Sequence, residues 1–114
     1  MNKQPIPVSL PKGIQRSLAE CGGPEGLLRR LHSNRSLLAR CRIYNAAADP
    51  MRLKILELLR DQPLCGCVIK AILSIADSKL SYHLGVLKKA GLIKGGKKGN
   101  WIIYSITEKG KRFL

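Results

Sequence analysis

With 114 residues, the chain has room for one small domain around a single hydrophobic core. Hydrophobic residues are 45% of it, which excludes a chain disordered by composition, and no apolar stretch approaches the ~20 residues of a membrane span. Twenty-one Lys and Arg against seven Asp and Glu give a net charge of +14, which points to a polyanionic partner, most often nucleic acid; the alternative is a basic surface with no specific partner.

The opening "MNKQPIPVSLPKG" lacks the apolar centre of a signal peptide, so a cytoplasmic location is expected. Four cysteines in that setting read as thiols, ligands or redox groups rather than a structural disulfide framework. Residues 1–23 carry Pro5, Pro7, Pro11, Gly13, Gly22 and Gly23 and read as a loosely ordered, flexible arm. Residues 24–114 form the expected domain. Its first helix begins near Pro24, with proline at the first helical position, and covers "EGLLRRL". "SNRSLLARCRIYNAAA" follows, capped by Ser33 or Asn34. Leu37, Leu38, Cys41 and Tyr44 fall near helical spacing there, on a face suited to a core or to a second subunit.

Asp49-Pro50 starts the next helix, with Asp49 as cap and Pro50 at the first position. Leu53, Leu56 and Leu59 recur along its apolar face, widened by Ile55 and Leu58, and Asp61-Gln62-Pro63 ends it. A short helix is expected over roughly 64–72, then a turn at "SIAD", with Asp77 or Ser74 capping the helix that follows. On that helix Leu80, Leu84 and Leu87 form a buried stripe and Gly91 supplies the C-cap; Gly85 in its interior costs about 1 kcal/mol against alanine. Two apolar runs around "GGKKGN" signal a hairpin, a wing over about 92–107, with Trp101 expected to pack beneath it, the alternative being to stack on DNA. The tail permits a stub of helix.

Two helices, a turn, a third helix and a basic hairpin describe a winged helix-turn-helix: mainly α with a small β-hairpin. Between residues 79 and 98 there are six lysines and no acidic residue. That charge falls on the helix able to enter the DNA major groove and on the wing able to meet phosphates. A merely solvated basic face has no reason to coincide with both.

At this point the sequence resembles the ArsR/SmtB family of winged-helix repressors, over about residues 46–107. "AADPMRLKILELL", "LSYHLGVLKKAGLI" and "KKGNWIIYSI" carry the resemblance. It implies a homodimer, built with the N-terminal helices, that binds double-stranded operator DNA, represses transcription and is released by an effector. With the charge pattern it gives Ser78, Lys79, Ser81, Tyr82, His83, Lys88 and Lys89 as candidate contacts on the recognition helix. Lys94, Lys97, Lys98 and Asn100 are the candidates on the wing. His83 has a second reading as a helix-packing group, and His32 as a surface residue. "LCGC" resembles the start of the family's thiolate site, which implies an effector ion such as As(III), Sb(III), Cd(II), Pb(II) or Zn(II), with no obligatory cofactor. Where some relatives carry a third cysteine this chain has Lys70, and the family's C-terminal Asp/His site has no counterpart here.

Cys65 and Cys67 face nearly opposite ways on an ideal helix, about 200° apart, so binding one ion requires the helix start to bend, which Gly66 eases. Such bending would disturb a helix packed on the recognition helix. Soft ions prefer three thiolates, and the third must come from Cys21 or Cys41; Cys41 otherwise reads as core packing and Cys21 as an exposed thiol. Three readings of the pair stay open: ion site, thiol redox switch, or structural cysteines. Two rivals to the whole account are an effector-independent architectural DNA-binding protein and an enzyme with a reactive cysteine. The enzyme reading lacks any visible nucleophile, base and orienter set.

Overall fold

The computed structural model describes residues 9–114, which fall into two compact units divided after Leu37, each taken here by itself. In the first unit, α1 (Lys12–Glu20) and α2 (Gly23–Arg30) are joined through Gly22 and Gly23, both at positive φ. Gly26 lies so close beneath the Cys21 carbonyl that a Cβ there would run into it, which makes the tight crossing of α1 and α2 depend on glycine. Within the segment expected as a flexible arm, a helix covers Lys12–Glu20; Pro11 stands just before the first helical residue, where its missing N–H costs nothing. Residues 1–8 of that expected arm lie outside the described residues. Ser33 caps α3 (Asn34–Ala47), accepting from the Ser36 N–H at 3.2 Å.

In the second unit, α4 (Pro50–Leu59) starts as its sequence dictates. The Asp49 carboxylate accepts from the N–H groups of Met51 at 2.8 Å and Arg52 at 3.1 Å, and Pro50 follows the cap. Ile55, Leu56 and Leu59 are buried and Leu53 and Leu58 pack on the core from its margin. After Pro63 comes β1 (Leu64–Cys65), then α5 (Gly66–Leu73) and α6 (Asp77–Lys89). The strand corrects the expectation of a helix from 64: Cys65 is extended, and the helix begins only at Gly66. Neither Asp77 nor Ser74 caps α6. Ala76 holds the cap position without a side-chain bond, Ser74 is the left-handed C-cap of α5 at φ 50°, and Asp77 sits in the first turn, where it pairs with Lys70 at 2.9 Å. An acid there still favours the helix dipole.

Leu80, Leu84 and Leu87 face the core as a stripe, each burial contributing about 1.5–3 kcal/mol. The end of α6 closes on Gly91 at φ 76°: Leu92 N–H donates to Leu87 at 3.0 Å and Gly91 N–H to Lys88 at 2.9 Å, the paired bonds of a Schellman motif. β2 (Ile93–Lys98) and β3 (Trp101–Ile106) then pair antiparallel up to Lys98↔Trp101, leaving only Gly99 and Asn100 as the turn. Gly99 at φ 63° provides the positive φ that a two-residue hairpin needs. β1 joins the other edge, Leu64↔Tyr104 and Cys65↔Ile103, so the sheet is three-stranded in the order β1-β3-β2 rather than a hairpin alone. The stub α7 (Glu108–Lys111) is capped by Thr107, which accepts from Gly110 N–H and donates to the Gly91 carbonyl at 2.7 Å.

Gly85 is exposed in the middle of α6, and a Cβ there meets nothing within 4 Å. Gly85→Ala is therefore expected to stabilise the fold by about 1 kcal/mol, read as a higher urea midpoint at unchanged slope. A lower midpoint would mean that the open space is not open in solution.

Candidate nucleic-acid interface and thiol pair

The outward face of α6 is fixed by its inward one. Leu80, Leu84 and Leu87 point into the core, so Ser78, Lys79, Ser81, Tyr82, Lys88 and Lys89 are all exposed. Ser78, Lys79, Tyr82 and His83 line one open groove together with Met51 of α4. Tyr82 is 59% exposed, a large aromatic left in water by a chain that has core positions to offer. Lys89 belongs to a different groove, with Arg42 of α3 and Arg52 of α4. The structure thus gathers part of the expected recognition-helix set in one place and sets Lys89 beside two arginines that the sequence reading did not single out.

On the wing, Lys94, Lys97, Lys98 and Asn100 are all exposed. The register sets Lys94 and Lys98 on the face shared with Trp101, and Lys97 on the face shared with Ile102. Trp101 is 58% exposed, which corrects the expectation that it packs under the wing. The hairpin runs past the core, so the residues at its tip have nothing to cover; Tyr104 and Ile106, nearer its base, are the ones packed on the core. No acidic side chain lies between Lys79 and Lys98, so both surfaces carry uncompensated positive charge.

His83 is half-buried, and its Nδ1 lies 3.2 Å from Nη1 of Arg52. It is therefore tied to α4 as a helix-packing group while still bordering the groove. His32 is exposed. Arg52 also donates to the Ala46 carbonyl at 2.6 Å and to the Asn45 carbonyl at 3.4 Å. Its place in "DPMR" was visible in the sequence, but a bond across 31 residues has no local signature.

At the helix start the Arg52 backbone N–H holds the Asp49 carboxyl below its ordinary range, helped by the Arg52 charge and the Met51 N–H and opposed by partial burial. Because the folded value is lowered, the stabilisation is complete above the ordinary carboxylate range and is lost as pH falls through the folded value. Asp49→Ala is expected to cost about 1 kcal/mol at neutral pH, and the gap to wild type is expected to close in acid. Thermal melts across a pH series check both; a gap that persists undiminished in acid would contradict the cap.

The cysteines are placed differently from expectation. Because Cys65 is extended and Cys67 lies in the first turn of α5, their Cα atoms are 5.5 Å apart and their sulfurs meet as a disulfide. No bending of a helix is needed to bring them together, since the helix has not begun at Cys65. α5 packs chiefly on β1 and β3, and a Cβ at Gly66 would rest 3.5 Å from the Tyr104 ring. Cys41 is exposed, which corrects its reading as core packing: α3 turns that face to solvent, with Leu38 58% and Tyr44 52% exposed. Cys21 is half-buried in the first unit, with Arg30 Nη1 at 3.8 Å from its sulfur. Among the described residues, no three His, Cys, Asp or Glu side chains converge as a metal site. No helix among them is long and apolar enough to cross a membrane.

Comparison with known proteins agrees with this architecture. Residues 49–94 match the model of the bacterial regulatory proteins of the arsR family. Over 67 residues the chain is 42% identical to an uncharacterized HTH-type transcriptional regulator of Methanocaldococcus jannaschii, covering 58% of this chain and 75% of that protein. Over 67 residues it is also 39% identical to the arsenical resistance operon repressor of Bacillus subtilis, covering 58% of this chain and 64% of the other. Among solved structures, it is similar to the homodimeric winged helix-turn-helix DNA-binding domain of a possible ArsR-family regulator from Mycobacterium bovis. That likeness has a TM-score of 0.65 and 27% identity, over 74% of this chain and 82% of the other. Motif, fold and relatives agree: the chain belongs to the ArsR family of winged helix-turn-helix transcriptional regulators.

Proposed function

We propose that the protein is a homodimeric transcriptional repressor that grips operator DNA with α6 and the β2–β3 wing and is released when the Cys65/Cys67 pair changes state. The observation that carries the reading is a juxtaposition. The two sulfurs meet at the junction of β1 and α5, and β1 is paired with β3, the wing strand. A change at the thiols therefore has a short path to the wing, through the β1–β3 pairs Cys65↔Ile103 and Leu64↔Tyr104. Lys70–Asp77 gives a second, weaker link from α5 to the first turn of α6. The exposed apolar face of α3, with Leu37, Leu38 and Tyr44, suits a second copy of the chain. The B. subtilis relative named as an arsenical resistance operon repressor supports repression, and the M. bovis domain supports the dimer.

Two soft thiolates fit a soft ion such as arsenite, with Cys65 and Cys67 supplying two donors once reduced. The input could instead be oxidation, and the meeting of the sulfurs favours that second reading. There, a peroxide takes two electrons from the two thiols, giving a disulfide, water and an alcohol or second water. In both readings the altered pair must favour the form that does not hold DNA.

Fluorescence anisotropy on DNA from upstream of the protein's own gene separates them. As(III) is expected to release the reduced wild type and to leave Cys65→Ser/Cys67→Ser bound. Release by peroxide but not by As(III), again lost in the double variant, would replace the ion by oxidation. A double variant that responds like wild type would remove the pair from the mechanism.

A further inference from the structure

Arg52 leaves the first turn of α4 and spreads its nitrogens over two other elements. Two of them reach the Ala46 and Asn45 carbonyls in the last turn of α3, the second of which also accepts from the Ala48 N–H at 3.3 Å. The third, Nη1, meets His83 Nδ1 on α6. A guanidinium has only donors, so Nδ1 must accept, and a neutral ring that accepts at Nδ1 carries its proton on Nε2. The Tyr82 ring stands edge-on to the imidazole at 5.4 Å, and both rings border the groove that also holds Ser78 and Lys79. The ring is thus held at one nitrogen by Arg52, flanked by Tyr82, and left with one polar group, Nε2–H.

We infer that Arg52 is a positioning residue for DNA recognition, locking His83 in the Nε2–H form so that this N–H donates to a phosphate oxygen of the DNA backbone. The inference rests on the DNA-binding reading of α6 given above. It assigns the Arg52 charge to α3 and the imidazole rather than to DNA. Asn45 and Ala46 anchor the guanidinium, so the position of the ring follows the end of α3.

Long-range 1H–15N correlation spectra of the reduced full chain, at a pH where histidine is neutral, are expected to show His83 as a single Nε2–H tautomer. Arg52→Lys, which keeps the charge but not the fork, is expected to turn it into a mixture. Nδ1–H in the wild type overturns the inference without any DNA present. On operator DNA, Arg52→Gln and His83→Asn are each expected to weaken binding about tenfold, and the double variant to be no weaker than His83→Asn alone. The slope of log affinity against log salt stays unchanged, because the lost contact is made by a neutral ring. Wild-type affinity in Arg52→Gln, losses that add in the double variant, or a slope shallower by about one would each overturn it. The last would place Arg52 itself on a phosphate. If Arg52→Gln does not fold, Arg52→Lys carries the same expectations for affinity and coupling. Failure of the wild type to bind DNA at all is read separately, and it takes down the DNA-binding reading beneath the inference.

Discussion

Alanine at both Lys79 and Tyr82 is expected to lower affinity for the operator by about a hundredfold, and affinity for random DNA far less. Both side chains are exposed on α6 and line the same groove, on the helix that a winged helix-turn-helix lays in the major groove. A side chain that reads a base edge contributes about 1–3 kcal/mol of discrimination, so two of them account for roughly two decades. Neither supports the core: Leu80, Leu84 and Leu87 do that from the opposite side of the helix, so the double variant keeps its melting temperature. Competition binding against operator and scrambled duplexes measures the ratio. Equal losses on the two duplexes would undo the assignment of base reading to these residues.

The wing gives the second large effect, of a different kind. Lys97 and Lys98 stand at the end of β2, next to the Gly99-Asn100 turn and on opposite faces of the ribbon. Replacing both by alanine is expected to weaken binding to every sequence alike and to flatten the salt dependence by nearly two, about 0.9 for each phosphate released. The opposite facing of the two lysines suggests a variant-by-variant refinement: if only one strand of the duplex is met, one single substitution carries most of the change in slope. A double variant with the wild-type slope would take the wing out of the phosphate contacts.

Much of this was legible along the chain. The i, i+4, i+7 leucines of α6 appear in the structure as its buried stripe, and Asp49-Pro50 and Gly91 cap the helices as their chemistry demands. What the sequence hid is non-local. β1 is two residues long and exists only because Leu64 and Cys65 meet Tyr104 and Ile103, some forty residues on, so no periodicity announces it. The consequence for the thiols was large. A helix through 64–72 sets the two sulfurs on opposite sides, whereas one extended residue before the helix brings them together. Trp101 and Cys41 differ from expectation for a shared reason. Alternation and helical spacing tell which residues share a face, but not whether the same chain covers that face. The hairpin outruns the core at Trp101, and α3 leaves Cys41 with exposed neighbours. Arg52 stands within the "DPMR" motif, yet its bonds run to α3 and α6, which only the fold brings within reach.

The contrast between the two surfaces also separates a repressor from an architectural DNA-binding protein. Phosphate contacts alone give affinity without preference, so in a repressor the preference is expected to come from α6. The direct measurement is fluorescence anisotropy of the reduced full chain on labelled DNA from upstream of its own gene, competed with unlabelled copies of that DNA or of scrambled sequence across a salt series. The account predicts a preference of about a thousandfold or more for the upstream sequence at physiological salt, with affinity for both falling as salt rises. Equal competition by the two DNAs would contradict it and leave a general DNA-coating protein in its place.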